Sequence, residues 1–161
     1  MTRPQTETSA LNDMGPLAED LLFMMRTVQG QLRPEVQALR DALAVESGMI
    51  GVMSIIWQRP GISQNDLAAV VALKKSAVTK LVKELEERQL ITRERVSSDR
   101  RMNALHLTDA GREMIAESRT IVAEIEGRAF DGVPEADRKT FFRVLGHLFT
   151  RLSGASAPAS D

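Results

Sequence analysis

Apolar residues recur at helical spacing through the first third of the chain. The pattern begins after Pro16, which suits the first turn of a helix, and it resumes after Pro34, which removes one backbone donor. We predict a long first helix that bends or breaks at Pro34, with helical residues on both sides. Its apolar positions are Leu17, Leu21, Met24, Met25, Val28, Leu32, Val36, Leu39, Leu43 and Val45.

The next apolar segment, residues 49–57, is hydrophobic nearly all round, which is typical of a buried helix. Ser47 is positioned to cap that helix. The Arg59-Pro60-Gly61 triplet then ends it.

A pair of short helices is predicted next. Ser63 and Asp66 have the three-residue spacing of a capping box, so a third helix starts there. Only residues 72–74 separate it from a fourth helix, residues 75–88, and helices joined this closely indicate a helix-turn-helix. We call residues 75–88 the reader helix.

Two extended segments, residues 91–96 and 103–107, flank a polar tip at 97–101 and predict a β-hairpin, or wing. Thr108 and Pro134 then open the last two helices. The predicted fold is mainly α with a small β-hairpin, a winged helix-turn-helix at residues 47–108. The remaining helices, 15–46 and 109–152, form a dimerisation module, and the tails 1–14 and 153–161 are disordered.

Composition narrows the function. The chain has no cysteine, and His106 and His147 are its only imidazoles, far apart in sequence. No metal site, no cofactor and no catalytic constellation is expected, so we do not expect an enzyme. The N-terminal sequence lacks a signal peptide and no segment suits a membrane span, which favours a cytoplasmic protein.

Positive charge is concentrated in one region. Residues 74–101 carry nine basic and five acidic residues, a net charge of +4, although the whole chain has −1. Such a local basic surface attracts nucleic-acid phosphates through counterion release.

The reader helix has two faces at 100° per residue. Val78, Leu81, Val82 and Leu85 share one side with Lys74. The opposite side carries groups that can bond to base edges or phosphates, beside a small residue, Ala77, that permits close approach to a major groove. These groups are Ser76, Thr79, Lys80 and Lys83. The alternative interpretation of this polar side is an ordinary solvated lysine-rich face that binds no ligand.

The hairpin tip offers a second contact. Arg100 and Arg101 suit a narrow minor groove, and Asp99 is placed to orient Arg101 by a charge-assisted bond. The alternative is a soluble turn with no ligand.

Residues 60–111 resemble the MarR family of bacterial regulators. The resemblance lies in Pro60-Gly61-Ile62-Ser63-Gln64, Leu67-Ala68, the run from Lys75 to Val82, Leu85-Glu86-Glu87-Arg88, Asp99-x-Arg101 and Leu107-Thr108-x-x-Gly111. Ala72 and Gln89 stand where the family usually has Gly, and Lys74 stands where a capping Ser is common. These departures affect the pose of the reader helix.

The resemblance implies a transcriptional repressor that binds double-stranded promoter DNA. Ser76, Thr79 and Lys80 would contact the major groove, while Arg101, held by Asp99, would enter the minor groove. The complete predicted DNA-binding set is Lys75, Ser76, Ala77, Thr79, Lys80, Lys83, Asp99, Arg100 and Arg101.

Two partners besides DNA are expected. Since one reader helix covers few base pairs, a two-fold homodimer is predicted to read inverted half-sites, using the apolar end helices as its interface. The resemblance further implies a small aromatic or phenolic effector that releases the DNA. Candidate residues for its pocket are Met24, Met25, Arg26, Met53 and Trp57, although methionines at this spacing also suit a core. The main rival function is a winged-helix module that binds protein instead of DNA.

Overall fold

A computed structural model describes residues 13–71, 73–95 and 103–155. These residues divide into two compact units on either side of the Ala42–Leu43 peptide bond. The architecture is mainly helical with one small antiparallel sheet, as predicted.

The first unit contains a short 3-10 helix, Gly15–Glu19, and helix α1, Leu21–Ala42. The Asp20 carboxylate accepts a hydrogen bond from the backbone N–H of Phe23 at 2.7 Å and so caps the start of α1. Pro34 lies inside α1, which continues through it without a break. A proline there removes only the hydrogen bond to the carbonyl of Gly30, and the rest of the helix is retained.

The second unit begins with buried Leu43 and Val45 and with helix α2, Met49–Gln58. Our prediction that Ser47 caps α2 is wrong. Gly48 occupies the N-cap position with φ +90°, a left-handed conformation that favours glycine, and no side chain caps the helix. The fully buried residues Met49, Val52 and Met53, with Ile56 at 1% exposure, place α2 in the core.

The helix-turn-helix consists of α3, Gln64–Val71, and α4, Lys75–Glu87. Helix α4 is the reader helix of the sequence analysis, one residue shorter. Leu67 and Ala68 of α3 and four residues of α4 are buried in the core of this unit.

The sheet has three strands: β1, Ile62–Ser63, β2, Ile91–Arg95, and β3, Asn103–Leu107. Strands β2 and β3 form the predicted antiparallel hairpin, with Ile91 opposite Leu107 and Arg93 opposite Leu105. Strand β1 was not predicted, and it pairs with β3 through Ile62 and Leu105. Residues 96–102, which include the predicted tip, lie outside the described residues.

Two long helices complete the second unit: α5, Asp109–Ala129, and α6, Glu135–Ala155. Thr108 caps α5 as predicted, since its hydroxyl oxygen accepts from the N–H of Gly111 at 3.0 Å. The carbonyl of Pro134 accepts from the N–H groups of Asp137 and Arg138 in the first turn of α6. Among the helices described, none combines the length and apolar character needed to cross a bilayer.

Candidate nucleic-acid interface

Helix α4 is held by one face and leaves the other in solvent. Val78, Leu81, Val82 and Leu85 are buried, with Val78, Val82 and Leu85 at 0% exposure. Every predicted contact residue on α4 is exposed, namely Lys75, Ser76, Ala77, Thr79, Lys80 and Lys83. The helix is therefore anchored by its apolar side, and its polar side is accessible to a ligand.

Helix α3 starts at the predicted cap, Ser63. The hydroxyl oxygen of Ser63 accepts from the backbone N–H of Asp66 at 3.1 Å, and the same hydroxyl donates to the Asp66 carboxylate at 2.7 Å. Because Ser63 also belongs to β1, this cap fixes α3 to the sheet.

Two of the three residues that depart from the family pattern lie at the ends of α4. Lys74 is the N-cap residue and makes no side-chain cap bond, although its extended backbone (φ −60°, ψ 141°) suits a capping side chain. Gln89 follows the helix with φ +57°, in the left-handed region that favours glycine. Ala72 lies outside the described residues.

Two of the exposed lysines have carboxylates nearby. The Nζ of Lys80 lies 3.9 Å from a carboxylate oxygen of Glu46, and the Nζ of Lys83 lies 3.4 Å from one of Glu87. All four side chains are more than 60% exposed, and such ion pairs contribute little net free energy. Both ammonium groups can exchange these partners for phosphate at small cost.

A chain of side-chain hydrogen bonds connects β2 to α4 through the first residue of α3. Arg93 donates through Nε to Glu86 at 2.9 Å and through a guanidinium nitrogen to the Oε1 of Gln64 at 3.3 Å. The Nε2 of Gln64 donates to the hydroxyl oxygen of Thr79 at 2.8 Å, and that hydroxyl donates to the carbonyl of Lys75 at 2.8 Å. Sequence reasoning did not identify Gln64 or Arg93 as site residues, because their partners lie up to 29 positions away.

The predicted tip residues Asp99, Arg100 and Arg101 lie outside the described residues. The strands that lead to them are placed, and Arg93 of β2 bonds to Glu86 of α4. The base of the wing is therefore attached to the reader helix.

A groove of about 720 Å³ lies in the second unit, away from the polar face of α4. Trp57, at the end of α2, forms one wall, and the guanidinium carbon of Arg119 lies 4.5 Å from the centroid of its ring. The residues lining the groove are Trp57, Arg112, Ile115, Ala116, Arg119, Thr120, Ala123 and Glu124.

The groove contains one of the predicted pocket residues, Trp57. Met53 is fully buried in the core and does not line the groove. Met24, Met25 and Arg26 belong to α1 of the first unit, where Met24 is half-buried and the other two are exposed. The basic residues of the groove, Arg112 and Arg119, were not identified from sequence because only the packing of α5 places them beside Trp57.

Comparison with protein families gives a match to the region that contains the exposed face of α4. Residues 47–102 match the model described as "MarR family". A protein of Thauera aromatica, named as a putative transcriptional regulatory protein for the hcr operon, is 29% identical over 144 residues, which are 89% of this chain and 87% of that protein.

Two solved structures extend the comparison to the whole fold. The transcriptional repressor CouR bound to a 23-mer DNA duplex superimposes with a TM-score of 0.75 at 25% identity, covering 84% of this chain and 96% of that one. CouR from Rhodococcus jostii RHA1 bound to p-coumaroyl-CoA superimposes with a TM-score of 0.69 at 26% identity, covering 91% and 99%. The motif sequence, the winged helix-turn-helix geometry and these similarities agree: residues 47–102 carry a MarR-family domain, in a chain that is similar to transcriptional regulators over most of its length.

Proposed function

We propose that this regulator is a repressor that binds a pseudo-palindromic promoter operator as a homodimer in the cytoplasm. The observation that carries the proposal is the outer face of α4, where Ser76, Thr79, Lys80 and Lys83 are exposed on a helix anchored by four buried residues. A major groove admits one helix presenting such groups. The similarity to a repressor bound to a DNA duplex supports the same use of the face.

The wing supplies the second part of the proposed contact. In this proposal Arg100 and Arg101 enter the minor groove beside the half-site, and Asp99 orients Arg101. Lys75 and Lys83 neutralise phosphates, and Ala77 permits close approach of the helix to the DNA.

The homodimer is supported by apolar surface on the end helices. None of the described side chains of α6 is buried, although the helix carries Phe141, Phe142, Val144 and Phe149 at 45–59% exposure. In α1, Leu21, Leu22 and Val28 are likewise exposed. Long helices gain most of their stability from packing an apolar face, and a second copy of this chain offers one.

The groove beside Trp57 supports an effector that is aromatic and anionic. Its volume is within the range of small-molecule sites, Trp57 offers an aromatic wall, and Arg119 offers donors for a carboxylate. The guanidinium group of Arg112 also lines the groove but is already bonded to the Asp109 carboxylate and the carbonyl of Leu107. Binding of p-coumaroyl-CoA by CouR supports a phenolic acid or its thioester as the class of ligand. Release of DNA follows if the effector binds more tightly to the DNA-free conformation.

Salt-dependent binding of genomic DNA tests the central claim. Fragments retained by the full-length protein are recovered, and the affinity for the tightest is measured from low to high salt by fluorescence anisotropy. We expect log K to fall with log salt, and Lys83→Ala to reduce that slope by about 1. Lys139 is the matched control, because it forms the same type of i,i+4 pair with Glu135 on α6, and Lys139→Ala should leave the slope unchanged.

Absence of DNA retention at low salt would refute the proposal and favour the protein-binding alternative. Equal slopes for the two lysine variants would place the DNA elsewhere on the molecule.

A further inference from the structure

The hydrogen-bond chain from Arg93 to Thr79 has a fixed direction. A guanidinium group carries donors only, so the amide atom of Gln64 that faces Arg93 at 3.3 Å must be the oxygen, Oε1. The other end of the amide, Nε2, then faces Thr79 and donates to its hydroxyl oxygen at 2.8 Å. Arg93 itself is held by Glu86 at 2.9 Å, and its side chain is 27% exposed.

This direction determines which hydrogen-bonding sites of the Thr79 hydroxyl remain unused. A hydroxyl group has one donor hydrogen and two acceptor lone pairs. The hydrogen is used by the carbonyl of Lys75 at 2.8 Å, and one lone pair is used by Gln64. Thr79 is exposed on the outer face of α4 with one acceptor site remaining and no donor.

We propose that Thr79 reads the exocyclic amino group of an adenine or a cytosine in the major groove. This inference rests on the proposed DNA binding and adds the chemistry of one contact. In the major groove only adenine N6 and cytosine N4 donate hydrogen bonds, whereas guanine and thymine present acceptors there. Phosphate oxygens also accept only, so the hydroxyl of Thr79 does not bind the DNA backbone.

Gln64 and Arg93 reduce the hydroxyl of Thr79 to a single free acceptor site. Gln64 occupies one lone pair of the hydroxyl, and Arg93 prevents the amide of Gln64 from rotating by 180°. The carbonyl of Lys75 holds the hydrogen of the hydroxyl whether or not Gln64 is present.

Base-preference profiles of matched variants test the proposal. An operator fragment recovered with the wild-type protein is substituted at every base pair in turn, symmetrically in both half-sites, and the affinity for each duplex is measured. The variants are Thr79→Val, which keeps the shape and loses the hydroxyl, Thr79→Ser, which keeps the hydroxyl, and Gln64→Ala. Circular dichroism confirms that each variant is folded.

We expect the wild type to prefer adenine or cytosine at one position of each half-site by about threefold to tenfold, the range for one hydrogen bond. Thr79→Val should lose the preference at that position alone, and Thr79→Ser should keep it. Gln64→Ala should keep the preference for adenine or cytosine, because the carbonyl of Lys75 still holds the hydrogen of the hydroxyl.

Three results would overturn the inference while leaving DNA binding intact. The first is an unchanged profile for Thr79→Val, and the second is a preference for guanine or thymine that depends on Thr79. The third is a preference that Thr79→Val keeps and Thr79→Ser loses, which would assign the contact to the methyl group. A wild-type protein that retains no DNA would overturn the proposed function as well.

Discussion

Gly111 lies directly against the backbone carbonyl of Leu90, so closely that a Cβ on Gly111 would stand 2.1 Å from that oxygen. The same carbonyl accepts a hydrogen bond from the N–H of Thr108 at 3.1 Å. The Thr108 hydroxyl donates to the carbonyl of Gln89 at 2.7 Å and accepts from the N–H of Gly111. The start of α5 is thereby attached to the junction between the reader helix and the wing, which explains the glycine in the Leu107-Thr108-x-x-Gly111 motif.

Gly111→Ala should be strongly destabilising. The added methyl group would overlap a backbone oxygen that cannot move aside, and we expect the free energy of unfolding to fall by about 3 kcal/mol in urea titrations. Gly127 lies in the same helix, and a Cβ added there would have no atom within 4 Å. Gly127→Ala should therefore raise the free energy of unfolding by about 0.5–1 kcal/mol. A similar effect of both substitutions would contradict the close contact between Gly111 and Leu90.

Gln89→Gly should stabilise the protein. Gln89 has φ +57°, a conformation that costs a side chain-bearing residue about 1 kcal/mol and glycine much less. We expect the free energy of unfolding to rise by up to about 1 kcal/mol in the same titration. The matched variant Gln89→Ala removes the same polar group and keeps the strain, so a gain shared by both variants would argue against backbone strain as the cause.

Lys74→Ser should also stabilise the protein, through the start of α4. Lys74 is the N-cap residue without a side-chain cap bond, and a serine hydroxyl would accept from an N–H of the first turn. Thermal and urea unfolding should show a gain of about 0.5–1 kcal/mol relative to Lys74→Ala, which supplies no cap. If serine and alanine have equal stability, the geometry at this position does not permit capping.

Trp57 provides a direct signal for the proposed effector groove, because it is the single tryptophan of the chain. Titration with p-coumarate or its coenzyme A thioester should quench its fluorescence. Arg119→Met should weaken binding by about tenfold, since it removes the guanidinium group beside the indole ring.

Arg138 offers a matched control for this measurement. Its guanidinium carbon lies 5.0 Å from the ring centroid of Phe130, outside the groove, so Arg138→Met should leave the titration unchanged. Equal losses in the two arginine variants would indicate non-specific attraction of an anion.

Phe149→Glu should weaken the proposed homodimer. Phe149 is 59% exposed on α6, and a carboxylate in an apolar interface is costly to desolvate. Sedimentation velocity should show a dissociation constant raised by at least about tenfold. Leu73, an exposed apolar residue between α3 and α4, is the control, and Leu73→Gln should leave the association state unchanged.

The structure also shows which local predictions were correct and why. The caps at Ser63 and Thr108 depend on atoms within three residues, so sequence spacing was sufficient to find them. The buried side of α4 followed from the helical period alone. The cap at Ser47 failed because the chain enters α2 through Gly48 in a left-handed conformation that no apolar pattern encodes.

Non-local features were missed for the opposite reason. Strand β1 has only two residues and exists because Ile62 meets Leu105, 43 positions later. Arg112 and Arg119 were missed likewise, because only the packing of α5 brings them beside Trp57.

The sequence by itself determined the MarR-type motif, the order of helices and hairpin, and which side of the reader helix is exposed to solvent, because these depend on short-range periodicity and motif spacing. The tertiary structure alone decided that Gln64, held by Arg93, donates to the hydroxyl of Thr79, and why Gly111 must lack a side chain. Those relationships join atoms distant in sequence, and only the packing of α3, α4, β2 and α5 brings them within hydrogen-bonding or van der Waals distance.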